Sequence, residues 1–320
     1  MKLKGSVKKL NKKLLFILFG IEGILFTAMR FFQMNSLTNP ETGFFTDKGN
    51  FTVILFYALW FVTVLGTMLL FYLASDCDTG AYSRRKNIPL AIGSFIMAAG
   101  AAYDVYTRVA DAQIKAGTLA FSDYIRIEKA YLAVGCIIFA ALSVIVFLID
   151  AISFAAGSGY ASSLKLCHLF PVLWLFCVTV CYFSITVSYL NVSQLMLMIF
   201  ADGFLMVFLF EYARFISGIG AKEAPWLLFA SGVTAEILLV ASELPNLVFT
   251  LMKTPEKLVA NCPLNVYDLA AVIFVALALL SAAQNKNYTA VSLEPLKTEA
   301  GSLSADTKDD GKESGDGAAE

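Results

Sequence analysis

The sequence predicts an all-α integral membrane protein, a bundle of eight transmembrane helices with both termini in the cytoplasm. Composition is the first reason. Of 320 residues, 58% are hydrophobic and 15% charged, with a mean hydropathy of +0.71, against about 45–50% apolar and about 25% charged in soluble domains. The second reason is eight apolar runs, at 14–33, 51–74, 88–106, 130–151, 168–190, 195–215, 225–244 and 266–283, each near the ~20 residues that cross a hydrocarbon core. The third is where the bases fall. Lys2, Lys4, Lys8, Lys9, Lys12 and Lys13 precede the first run, and Arg84, Arg85 and Lys86 fill the second connection. With Lys165, Arg214 and Lys222 they gather on the side that an even number of spans makes cytoplasmic, as the positive-inside rule requires.

Taken in order, residues 1–13 form a basic cytoplasmic N-terminus. The run at 14–33 is longer than a signal-peptide core and lacks a small-residue cleavage site, so it is expected to stay as the first helix. Residues 14–283 form the transmembrane domain. Proline near the start of spans three and seven, Pro89 and Pro225, and the similar runs 138–142 and 273–277 suggest two four-helix halves in one orientation, a possible 4+4 parallel repeat. Longer outer connections at 34–50, 107–129 and 245–265 have room for interfacial segments. Residues 284–320 are acidic and small-residue-rich without an aromatic beyond Tyr288, and are expected to be a disordered cytoplasmic tail that could bind a cytoplasmic protein.

The cysteines, Cys77, Cys136, Cys167, Cys177, Cys181 and Cys262, read as small packing residues. Span three carries Ser94, Ala98 and Ala102 every four residues, a row that admits another helix closely. Asp104, Arg108 and Asp111 follow it and are expected to form an exposed charged patch at the outer end.

Function is sought among charges placed inside apolar runs, which are costly there and usually face protein or water. Asp202 lies inside span six. Spans six and seven should form an antiparallel hairpin, and with its turn near residue 219 or 220 Asp202 mirrors to about position 237, next to Glu236. Glu243 follows seven residues later and about 20° round the helix. Glu22, between Gly20 and Gly23 in span one, is a third candidate at mid-depth, and Arg30 in the same span is the candidate charge partner, with Asp202 its expected contact. Carboxylates so close cannot all ionise cheaply in a low dielectric. Asp202, Glu236, Glu22 and Glu243 are therefore the candidate ion- or proton-coupling residues of a small-solute transporter in the plasma membrane. The alternative is a non-catalytic scaffold or sensor subunit.

Enzyme readings are thin. His168 is the single histidine, no zinc spacing or nucleotide loop is present, and no metal, cofactor or nucleic acid is expected. A hydrolase would need His168 to serve Ser158, Ser162 or Ser163, and none sits in a nucleophile elbow. Tyr103-Asp104 resembles the YD motif of the intramembrane aspartyl proteases, with Asp202 as second aspartate. Their GxGD motif is not matched, because Ile199-Phe200-Ala201-Asp202 lacks both glycines.

Overall fold

The computed structural model describes residues 12–39, 44–46, 51–73, 86–118, 130–184, 192–218, 226–254, 258 and 264–284. The expectations for the tail, for most of the basic N-terminus and for Cys77 and Cys262 lie outside them. The described residues are mostly helical, joined by turns and irregular segments, with an isolated bridge between Thr38 and Phe45. Its long helices are α1 (Lys12–Ser36), α2 (Phe51–Leu73), α3 (Ile88–Thr118), α4 (Ala130–Ala156), α5 (Phe170–Ser184), α6 (Val192–Ser217), α7 (Trp226–Leu251) and α8 (Val266–Gln284). Between α4 and α5 lie a single helical turn, Tyr160–Ser163, and the 3-10 turn Cys167–Leu169.

Six of these helices, α1 to α4, α6 and α7, are long and apolar enough to cross a membrane, and α5 and α8 carry shorter apolar stretches. The protein is a multi-pass helical membrane protein. Its outer faces agree: Ile21, Ile24, Phe61, Leu65, Ile138 and Phe176 are all exposed, a continuous apolar exterior that water would not tolerate and lipid does.

Helix α7 is the hub. Of its apolar window 78% is buried, against 22% for α2, because α1, α2, α6 and α8 all pack on it. Helix α3 lies between α4 and α8, and α5 bridges α4 and α6. The Asn87 carboxamide caps α3 by accepting from the Leu90 amide (3.2 Å) and donates to Ser281 of α8. Thr67 of α2 and Thr234 of α7 share a hydroxyl hydrogen bond (2.8 Å).

Three local expectations change. Helix α3 runs on to Thr118, so Asp104 and Arg108 belong to a helix of about 46 Å and not to its frayed end. Helix α7 continues through Pro245 to Leu251, absorbing part of the expected outer connection. Of the Ser94/Ala98/Ala102 row, Ser94 and Ala98 are buried but Ala102 is exposed, and the close approach of α3 to α8 is made by glycines. A Cβ on Gly93 would meet the Leu277 side chain at 3.3 Å, and one on Gly100 would lie 2.5 Å from the Ala270 Cβ and 3.3 Å from the Tyr267 Cα. Only a residue without a Cβ lets α3 and α8 meet there. Gly100→Ala is therefore expected to destabilise the bundle by about 1–3 kcal/mol in thermal melts in detergent. Gly66→Ala, where a Cβ meets nothing within 4 Å, is expected to leave the melt unchanged.

Candidate functional site

Where α3, α5, α6, α7 and α8 meet, the bundle encloses a polar cluster. Asp202 of α6, Glu243 of α7 and Asp268 of α8 are all buried. The charge of Glu243 acts on Asp202, and both act on Asp268. A directional chain of donors ends on the first of them. Asn265 Nδ2 donates to the Tyr182 hydroxyl (3.1 Å), the Tyr182 and Tyr267 hydroxyls are 3.1 Å apart, and Tyr267 donates to Asp202 Oδ2 (3.4 Å). The Asn265 backbone amide donates to Glu243 Oε2 (3.1 Å), and the Ser242 hydroxyl reaches Glu243 Oε1 (3.4 Å). One loop residue, Asn265, thus touches both the tyrosine chain and the second acid.

The cluster is bordered by a pair already matched in charge. Arg108 Nε donates to Asp104 Oδ2 at 2.8 Å, and Trp174 Nε1 donates to the same oxygen at 2.9 Å. Trp174 also packs edge-on against Tyr267, ring centroids 5.4 Å apart. Asp104 is buried, which corrects the expectation of a solvated patch: the pair lies inside a continuous helix walled by α5. Among the described residues no ion pair reaches Asp202, Glu243 or Asp268. The buried Asn246 side chain, one turn beyond Glu243, lies against the Glu243 carboxyl group, and Asp268 Oδ1 has no hydrogen-bond partner among the described residues.

Of the acids singled out from the sequence, the fold brings Asp202 and Glu243 together and leaves Glu236 and Glu22 elsewhere. The neighbour of Asp202 is Glu243, not Glu236, although Glu236 lies closer to the expected mirrored position. The helix ends, Ser217 of α6 and Trp226 of α7, centre the hairpin near 221–222 and not at the expected 219–220, so Asp202 mirrors to about position 241, and the lean of helical side chains toward their own N-terminus carries it on toward Glu243. In an antiparallel hairpin Asp202 leans toward the C-terminal half of α7, Glu243 leans back to meet it, and Glu236 leans away. Glu236 is half-buried, and no hydrogen bond or ion pair reaches it among the described residues. Glu22, also half-buried, accepts from the Thr63 hydroxyl of α2 and does not join the cluster.

Arg30 is not the partner of Asp202. It is buried with Nη2 donating to Gln194 Oε1 (2.5 Å), Nη1 donating to Gln33 Oε1 (3.4 Å), and its guanidinium 5.9 Å from the Phe45 ring centre. Arg30 sits two turns nearer the C-terminal end of α1 than Glu22, and the residues that reach it are the first turn of α6 and the segment folded over the end of α1.

A second buried constellation escaped the sequence reading. His168, in the 3-10 turn, places Nδ1 2.8 Å from the Leu164 carbonyl and Nε2 3.0 and 3.2 Å from the two carboxyl oxygens of Asp150 in α4. The serines considered as partners for His168 are engaged locally. Ser158 bonds Ser153, Ser162 the Gly159 carbonyl and Ser163 the Tyr160 carbonyl.

Asp268 and Asn246 were also missed, because both lie near helix ends, where polar residues are ordinary. One signal was present: Tyr267-Asp268 repeats the Tyr103-Asp104 dipeptide on the helix that packs against α3. Comparison with protein families, curated proteins and solved structures finds no match to this chain.

Proposed function

We propose that the protein is a proton-coupled transporter of a small solute, spanning the plasma membrane eight times with both termini in the cytoplasm, and that Asp202, Glu243 and Asp268 are its coupling groups. The observation that carries this reading is the charge balance of the cluster. Three buried carboxyl groups act on one another electrostatically, and the base beside them, Arg108, is already paired with Asp104. Carboxylates so placed cannot all be ionised at reasonable cost, so bound protons or a cation must balance them. Such groups inside a membrane protein commonly mark proton and ion pathways. The tyrosine hydroxyls of the donor chain offer a relay to Asp202.

This places the coupling function one residue set away from the sequence expectation, with Asp268 in and Glu236 and Glu22 out. In this reading α5 and α8, whose apolar stretches are the shorter ones, cross the membrane as the fifth and eighth spans. The alternative is a non-catalytic scaffold or sensor subunit. It is favoured by one feature, the closed chain of hydrogen bonds from Asn265 to Asp202.

The experiment is reconstitution into liposomes loaded with a pH-sensitive dye, with solutes added one class at a time: amino acids, sugars, organic acids, amines and inorganic cations. A transporter acidifies or alkalinises the lumen with some class of solute and not without it. A scaffold leaves the lumen unchanged with all of them.

A further inference from the structure

The interface of α4 and α5 gathers three thiols. Cys136 of α4 is fully buried, and its Sγ lies 3.5 Å from that of Cys181 on α5. Cys177, one turn earlier on α5, packs on the same part of α4, its sulfur 3.6 Å from where a Gly135 Cβ would stand. Both α5 cysteines are partly exposed. The Arg108 guanidinium acts electrostatically on all three. This goes beyond the packing role that sequence spacing suggests, because the partner of Cys181 is on another helix.

We propose that Cys136 and Cys181 are a redox-active thiol pair, oxidised to an α4–α5 disulfide by exchange with a small-molecule disulfide. The geometry asks little of the helices. A disulfide has an S–S length of about 2.05 Å, so side-chain rotation must bring the two sulfurs roughly 1.5 Å closer. The order of attack follows exposure. Cys181 is three residues from the end of α5, about 4.5 Å along the axis, and meets the reagent first. Its thiolate attacks RSSR, forming a Cys181–SR mixed disulfide and releasing RS⁻. The Cys136 thiolate then attacks the Cys181 sulfur and releases the second RS⁻. The protons of the two protein thiols end on the two RS⁻ groups, the protein pair loses two electrons, and the reagent disulfide gains them. The bond would fix the residue next to Tyr182, whose hydroxyl belongs to the donor chain ending on Asp202, so the redox state of the pair would bear on the carboxylate cluster.

The test treats the full-length protein in liposomes with oxidised glutathione or with the membrane-permeant dithiodipyridine, blocks remaining thiols with a maleimide, and maps peptides by mass. The expected result is a cross-linked peptide containing Cys136 and Cys181 that dithiothreitol dissolves. It is retained in Cys177→Ser, lost in Cys181→Ser, and replaced in Cys136→Ser by a trapped mixed disulfide at Cys181. The proposal is overturned if wild type keeps both thiols free with both reagents, if the Cys181 mixed disulfide persists unresolved, or if Cys136 cross-links to Cys177 instead. The wild-type map decides the matter even where a variant fails to fold.

Discussion

Asp202→Asn abolishes solute-dependent proton movement in liposomes, down to the level of vesicles without protein, and leaves the bundle folded. The asparagine is nearly isosteric, and its carbonyl oxygen still accepts from Tyr267, so the hydrogen bond at that corner of the cluster survives. What it cannot do is bind and release a proton. Stability is expected to hold or rise slightly, because one group with a charged state is withdrawn from a low-dielectric site. Glu243→Gln gives the same loss of flux for the same reason, with the Asn265 amide still bonded to the amide oxygen. Glu236→Gln keeps most of the flux, since no charged neighbour engages that acid. The contrast between Glu243 and Glu236, on one helix and nearly one line, separates the cluster from acidity in general. Flux surviving in Asp202→Asn, or lost equally in Glu236→Gln, contradicts the assignment.

His168→Ala destabilises the protein by about 3–5 kcal/mol, and Asp150→Ala does so comparably, because each leaves a buried polar group without its partner. The hydrogen-bond pattern explains why the pair stands or falls together. With Nδ1 donating to the Leu164 carbonyl, the Nε2 lone pair would point at a carboxylate unless a further proton lies between them. The dyad is therefore neutral as a unit, imidazolium with carboxylate or imidazole with carboxylic acid, and removing either half leaves the other only its second contact, Tyr212 for Asp150 and the Leu164 carbonyl for His168. The double variant Asp150→Leu/His168→Leu is expected to be far less destabilised than the sum of the singles Asp150→Leu and His168→Leu, as replacing a buried pair with apolar side chains often is. Unfolding in detergent, by heat or denaturant, measures all four corners of the cycle. Single changes below about 1 kcal/mol would place the dyad in a solvated setting.

How far the sequence foretold this arrangement differs from element to element. Apolar runs located the helices because a bilayer imposes a length rule that leaves a direct imprint. Asp202 and Glu243 were visible as charges where hydrocarbon forbids them. Their pairing was not, because the turn between α6 and α7 is centred about two residues later than the apolar runs suggested, which moves the mirrored position by about four residues of α7, and because mirrored backbone depth ignores the lean of side chains. Helix ends were poorly legible: Asp104, Asp268 and Asn246 sit where a solvated residue is unremarkable, and only the extension of α3 and α7 past the expected boundaries encloses them. The role of Gly93 and Gly100 depends on which helix lies opposite, information that the Ser94/Ala98/Ala102 row could not supply. Cys136 and Cys181, 45 residues apart, and Asp150 and His168, on different elements, are contacts of tertiary structure alone.

The central claim is that the cluster of Asp202, Glu243 and Asp268 holds protons inside the bundle. Infrared spectroscopy of the reconstituted protein near neutral pH tests it most directly, because a protonated carboxyl group absorbs apart from both carboxylate and amide bands. The account predicts a protonated-carboxyl band that shifts in D₂O and loses intensity in Asp202→Asn and in Glu243→Gln. A spectrum holding carboxylate bands alone, unchanged by any of these substitutions, would contradict it.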